Sequence, residues 1–174
     1  SLWRMSRRRL SLEQWRDSVL QMTGELEDSS GPSLELENAE NHRRTVYARV
    51  SRLKLDDVHA LFDYPDANVH AEKRSETTTA IQKLFLLNGD FVQRRARALA
   101  KRIALSGAVG DPSSPDERQR RAALAFKIVY GREMTAEEAQ FALDFLSKPG
   151  AKDYSRWAQF NQMLLISNEM LYVD

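Results

Sequence analysis

The sequence contains no cysteine, only three histidines, seven glycines and five prolines among its 174 residues. Without cysteine there is no disulfide scaffold, no thiolate metal site, no cysteine nucleophile and no c-type haem attachment. Without paired histidines there is no HExxH helix, and His42, His59 and His70 are expected to be solvated or bonded locally. His70-Ala71-Glu72 matches the first half of a zinc deaminase signature, but that site needs two cysteines, so the reading fails. Apolar runs such as Leu84–Leu87 and Met163–Ile166 fall far short of the ~18 residues of a membrane-spanning helix. Nucleophile-elbow, P-loop and dinucleotide glycine patterns are also missing. No cofactor and no metal are therefore expected.

The composition is that of an ordinary globular chain, 42% hydrophobic and 29% charged. Its net charge of +1 conceals blocks. Residues 1–24 carry +3, 25–41 carry −6, 42–54 carry +5, 55–70 carry −4 and 77–105 carry +5. Alternating blocks predict charged faces that meet one another, in the fold or in an assembly. The basic stretch 91–105 and Arg7-Arg8-Arg9 lack interleaved aromatics, so a solvated or salt-bridged face is the better reading than a nucleic-acid surface. Ser1–Met5 offers no initiator methionine at its head and no apolar signal core, and the chain is expected to be a piece of a longer protein.

Helix signals punctuate the chain. Ser11-Leu12-Glu13-Gln14 is a capping box, Leu12, Trp15, Val19 and Met22 form one stripe, and Gly24 is a natural terminator. Asp56 or Asp57 can start a short helix through Phe62, and Thr79-Ala80-Ile81-Gln82 is a second capping box. After Asn88-Gly89, Asp90 is expected to cap a helix with Val92, Ala96, Leu99 and Ile103 inward. Three further helices are predicted to begin at Ser114-Pro115, Thr135 and Ser155, the last carrying Trp157, Phe160, Leu164 and Ser167. Period-two alternation in Ser33–Glu37 and Thr45–Val50 suggests a small β-hairpin near residues 33–50, although Val46, Val50 and Leu53 also satisfy a helical stripe. The expectation is a mainly α antiparallel helical bundle forming a single domain over 1–174, with 112–174 as a C-terminal three-helix portion.

The polar stretch Asp63–Glu76 shows no period and is long for an idle connection. Asp63, Asp66 and Asn68 cluster oxygens but lack the ligand density and glycine of a calcium loop. Arg43 and Arg44 are expected to approach Asp63 and Asp66. With Arg74 and Asn168 they are the candidate ligand-binding residues, and no catalytic residue is assigned. Asn161, Gln162, Ser167, Asn168 and Glu169 flank an apolar helix and need partners where buried.

Several pieces, in order, resemble a known family. They are Trp3–Leu10 with Arg16-Asp17-Ser18, Gly31-Pro32-Ser33, Arg43–Tyr47, Phe62–Asp66, Arg74, Thr78-Thr79 with Gln82, and Leu86-Leu87-Asn88 with Phe91-Val92. Tyr130-Gly131-Arg132 with Thr135 and Glu138, and Asn168-Glu169 before Tyr172-Val173-Asp174, complete the set. Together they resemble the C-terminal portion of a planctomycete-specific domain of unknown function, found in large proteins that often begin with a cytochrome-c-like module. Ala80, Gly89-Asp90 and Met134 depart from the pattern at turns. The resemblance implies a secreted or envelope-associated parent whose haem or catalytic module lies upstream, and no known reaction. The expected role is a non-catalytic structural or interaction module, its partner the upstream domains or another protein. The alternative is part of an enzyme or glycan-processing site on the Arg/Asp cluster.

Overall fold

A computed structural model describes residues 7–51, 53, 55–65, 77, 79–106, 111 and 113–173. The chain is mainly helical. The elements are β1 (Arg8–Arg9), α1 (Leu12–Thr23), a 3-10 turn (Thr45–Tyr47), α2 (Asp57–Leu61), α3 (Ala80–Asn88) and α4 (Asp90–Leu105). There follow α5 (Pro115–Tyr130), α6 (Ala136–Ser147), α7 (Arg156–Leu165), α8 (Asn168–Leu171) and β2 (Tyr172–Val173).

Local chemistry sets the helix starts. Full capping boxes close Ser11/Gln14, Thr79/Gln82 and Thr135/Glu138, each satisfying two amides that the first turn leaves without partners. Ser114, ahead of Pro115, and Ser155 cap α5 and α7. Asp56 accepts from the amides of Val58 and His59 to start α2. Asp90 behaves otherwise than expected: Gly89 holds the cap position without a side-chain bond, and Asp90 lies in the first turn, 2.6 Å from Arg94 Nε. The last helix also differs, because it stops at Leu165 and Ser167 caps the separate α8.

The amphipathic stripes meet in one core. Helix α4 runs through its centre, packed along α7 and touching α1, α3 and α5. Val92, Ala96, Leu99 and Ile103 are buried there with Trp15, Val19 and Leu20 of α1 and with Phe160, Leu164 and Leu165 of α7. Burying a side chain such as Leu99 contributes roughly 1.5–3 kcal/mol. Buried polar groups tie element ends together: Trp15 Nε1 donates to the Leu165 carbonyl at 3.1 Å, and Gln162 Nε2 to the Leu87 carbonyl at 2.6 Å.

The two-stranded sheet is antiparallel, but it joins the two ends of the described chain rather than residues 33–50. Arg8 pairs with Val173 and Arg9 with Tyr172. Near residues 33–50 the alternating runs touch through one parallel bridge, Leu34 with Ala48, and Thr45–Tyr47 forms the 3-10 turn. The cause is Arg16, a buried guanidinium on α1. It donates to the carbonyls of Asn41 and Arg43 and to Thr45 Oγ1, while Asp17 accepts from the Thr45 amide at 2.8 Å. This draws residues 41–45 onto α1 and turns the returning segment parallel to the first.

Candidate functional site

Arg16 and Arg95 are both buried, and their guanidiniums lie 5.1 and 5.5 Å from the Phe91 ring centroid. Arg95 also lies 3.0 Å from Glu25. Burial pushes the Arg16 guanidinium down to about 10, with Asp17 opposing the shift and the like charge of Arg95 adding to it. The predicted meeting of charge blocks is visible here. The acidic segment 25–41 supplies Glu25 to Arg95 and Glu40 to Arg94. Arg102 donates to carbonyls at the end of α1, and Arg97 lies over Tyr154. The four arginines of α4 are thus engaged with the chain itself.

Four of the six candidate ligand residues are described, and Arg43, Arg44, Asp63 and Asn168 do not come together. Arg43 donates to the Pro32 carbonyl, stacks on Tyr47 and closes the loop at Gly31. Arg44 is exposed, its Nε 3.8 Å from Asp17 Oδ2. Asn168 opens α8 and borders a small apolar crevice with Leu10, Phe62 and Leu86. Asp66 and Arg74 lie outside the described residues, as does His70.

Asp63 finds its partner in Arg9, not in Arg43 or Arg44. Arg9 Nη2 is 2.9 Å from Asp63 Oδ2, with the two side chains only 10% and 14% exposed. The same carboxylate accepts from the Thr77 amide at 2.8 Å and from Thr77 Oγ1 at 2.7 Å. Gln82 binds Arg9 Nη1 through Oε1 at 2.7 Å and donates to the Leu61 carbonyl at 2.8 Å. Asp63 has φ +60, the only non-glycine residue in the left-handed region among those described. Burial pushes its carboxyl up, but the Thr77 amide and hydroxyl and Arg9 outweigh that, and it titrates below the usual carboxylate range. Sequence reading passed over Arg9, since nothing local separates it from Arg7 and Arg8.

A second polar cluster gathers Arg132, Glu138 and Glu169. Arg132 engages Glu138 at 2.7 and 2.9 Å and Glu169 at 2.6 and 2.8 Å, bidentate to both. Its guanidinium also lies 5.4 Å from the Phe126 ring centroid. The Arg132 bonds hold Glu138 down to about 2. Tyr130 donates to Ser167 Oγ at 2.9 Å beside it.

Two open surfaces stand out among the described residues. The first is a groove of about 830 Å³ between β1, the start of α1, the 3-10 turn and α2. Arg8, Arg44 and Asp17 border it, with Val46, His59 and Tyr64 along its wall. His59 is buried, its Nδ1 3.8 Å from Asp56 and its ring against Tyr64. The second is the outer face of α3, where Ile81, Leu84 and Leu87 are 67%, 55% and 50% exposed. No group of three or more metal-ligating side chains gathers among the described residues, and no helix there is long and apolar enough to cross a membrane.

A family model described as PSD1, protein of unknown function (DUF1553), matches residues 1–146. No curated protein and no solved structure matches the chain. The matched span ends within α6, while α7, outside it, packs along the central α4.

Proposed function

Because the chain belongs to the PSD1 family of proteins of unknown function (DUF1553), its role has to be read from its own surface, and we propose that it is a non-catalytic protein-interaction module of a larger, secreted or envelope-associated protein. The single observation that carries this reading is the apolar face of α3. Ile81, Leu84 and Leu87 are three residues apart and fall on one side of the helix, opposite the buried Gln82 and Leu86. A well-capped helix that keeps three large aliphatic side chains half or more in water is suited to a partner. Covering what each still exposes would contribute roughly 1–1.5 kcal/mol, about half the full transfer value.

The charge clusters support the same reading. Asp63 spends its oxygens on Thr77 and Arg9, and Arg132 spends its donors on two carboxylates. Groups so engaged hold elements of the fold together. We take the occupant of α3 to be the region that precedes this chain in its parent polypeptide.

The test is binding between the 174-residue chain and that preceding region, produced separately, measured by calorimetry. The double variant Ile81→Glu/Leu84→Glu changes exposed positions, so its melting temperature should match the wild type. Binding by the wild type and its loss in the variant is the expected result. Equal binding by both, or none by the wild type, overturns the reading.

A further inference from the structure

We propose that the groove beside β1 takes an extended peptide in which carboxylates flank apolar side chains. This surface is separate from α3. Its volume of about 830 Å³ is well above what one inorganic ion fills and within the range of sites that enclose ligands of several residues.

Two guanidiniums on its border are free to bind. Arg8 is exposed, and its guanidinium has no ion pair or hydrogen bond among the described residues, its backbone alone being paired with β2. Arg44 has a side chain 52% exposed and only its Nε near a carboxylate, 3.8 Å from Asp17. Asp17 is already satisfied on its other oxygen by the Thr45 amide and hydroxyl, at 2.8 and 2.5 Å. Arg9 also borders the groove but is held by Asp63. The acceptors that fit Arg8 and Arg44 are carboxylates, which a guanidinium fork grips with two bonds.

The wall between them is not purely polar. Val46 and Val50 line the same groove and are 70% and 43% exposed. A small anion would leave them bare, and an aliphatic side chain would cover them. Glu13 and Asp17 border the groove too, so a uniformly acidic polymer meets repulsion there. The ligand must therefore space its charges. Main-chain bonds complete the fit: β1 has one strand neighbour, β2, and its other edge carries no strand among the described residues. An extended peptide can add to such an edge, with side-chain pockets supplying the selection.

The probe is a labelled, end-capped peptide Glu-Leu-Glu-Val-Glu, followed by fluorescence anisotropy with the full 174-residue chain. Saturable binding that weakens as salt rises is expected. Arg44→Glu should weaken it about fivefold or more, and Arg8→Glu/Arg44→Glu further, with unchanged melting temperatures because both side chains are exposed. The α3 variant Ile81→Glu/Leu84→Glu should bind the peptide as the wild type does, so failure here is distinct from failure of the α3 reading. The proposal is overturned by any of four results. They are no saturable binding by the wild type, equal binding of Lys-Leu-Lys-Val-Lys, indifference to the double charge reversal, or full displacement by millimolar inorganic phosphate, which would indicate a simple anion site.

Discussion

Replacing Asp63 separates two contributions that the structure places on one residue. Its carboxylate answers Arg9 and the Thr77 amide and hydroxyl, and its backbone stands at φ +60. Removing one partner of a buried ion pair costs roughly 3–5 kcal/mol. With side chains 10% and 14% exposed, the lower end applies, about 3 kcal/mol. Alanine in the left-handed region adds about 1 kcal/mol, which glycine avoids. Asp63→Ala should therefore lose about 4 kcal/mol and Asp63→Gly about 3. For a chain of this size 1 kcal/mol moves the melting temperature by about 2–4 °C, so Asp63→Ala should fall by roughly 8–16 °C. Calorimetric melts at neutral pH measure both. Adding Arg9→Met to Asp63→Gly should restore part of the loss, a coupling of about 1–3 kcal/mol, since the stranded cation is gone. Asp111→Ala, at an exposed turn where the Asp111 carboxylate accepts from the Ser113 amide, is the control and should shift little. An Asp63→Ala melt within 2 °C of the wild type would refute the assignment of Asp63 as a structural hub.

Glu138 should govern part of the acid limb. Its folded value, about 2, lies below the ordinary 4.5, so its stabilisation is full above 4.5 and drains as pH falls toward 2. Glu138→Gln should therefore be less stable than wild type at pH 7, with the gap closing below about pH 2 in denaturant titrations at stepped pH. A gap independent of pH would show that the Arg132 bond is not what shifts it. Asn161 is wholly buried on α7, and neither of its amide atoms has a hydrogen-bond partner among the described residues. Asn161→Leu removes an unsatisfied polar group at similar shape and should be neutral or stabilising by about 1–2 kcal/mol in urea melts. A loss above 1 kcal/mol would reveal a bound water or other partner at the amide. Gly131 ends α5 at φ +69 with open space where a Cβ would stand, so Gly131→Ala should cost about 1 kcal/mol from backbone strain alone. No measurable change in the thermal melt would contradict that conformation.

Helix starts were legible because their signals are local. Ser11, Thr79 and Thr135 each bond an amide three residues on, so four consecutive letters contain the whole interaction. The core stripes of α1, α4 and α5 follow for the same reason. The pairing at residues 33–50 was not legible, because the alternation there carries no direction. What makes it parallel is Arg16, a side chain 25 to 29 residues away that gathers Asn41 to Thr45. The partner of Asp63 was missed similarly. Many arginines match its charge, and Arg9, 54 residues upstream, wins because pairing with β2 fixes where its backbone lies. Of the polar residues near α7, Gln162, Ser167 and Glu169 find partners in the Leu87 carbonyl of α3, in Tyr130 at the end of α5 and in Arg132 just beyond it, whereas buried Asn161 has none among the described residues. Of the candidate ligand residues that are described, only Arg44 borders the large groove.

The pairing of β1 with β2 has a mechanical meaning. Arg8 sits opposite Val173, so the chain enters and leaves at the same end of this two-residue ladder. Tension applied through the two ends peels it open like a zip, one rung at a time, instead of shearing all rungs together. Such a clasp yields at low force. The second rung is Arg9, whose guanidinium is tied to Asp63, Thr77 and Gln82. Pulling therefore frees the outer rung first, after which that ion pair and the Leu10 amide bond to the Leu171 carbonyl hold β1 against the body.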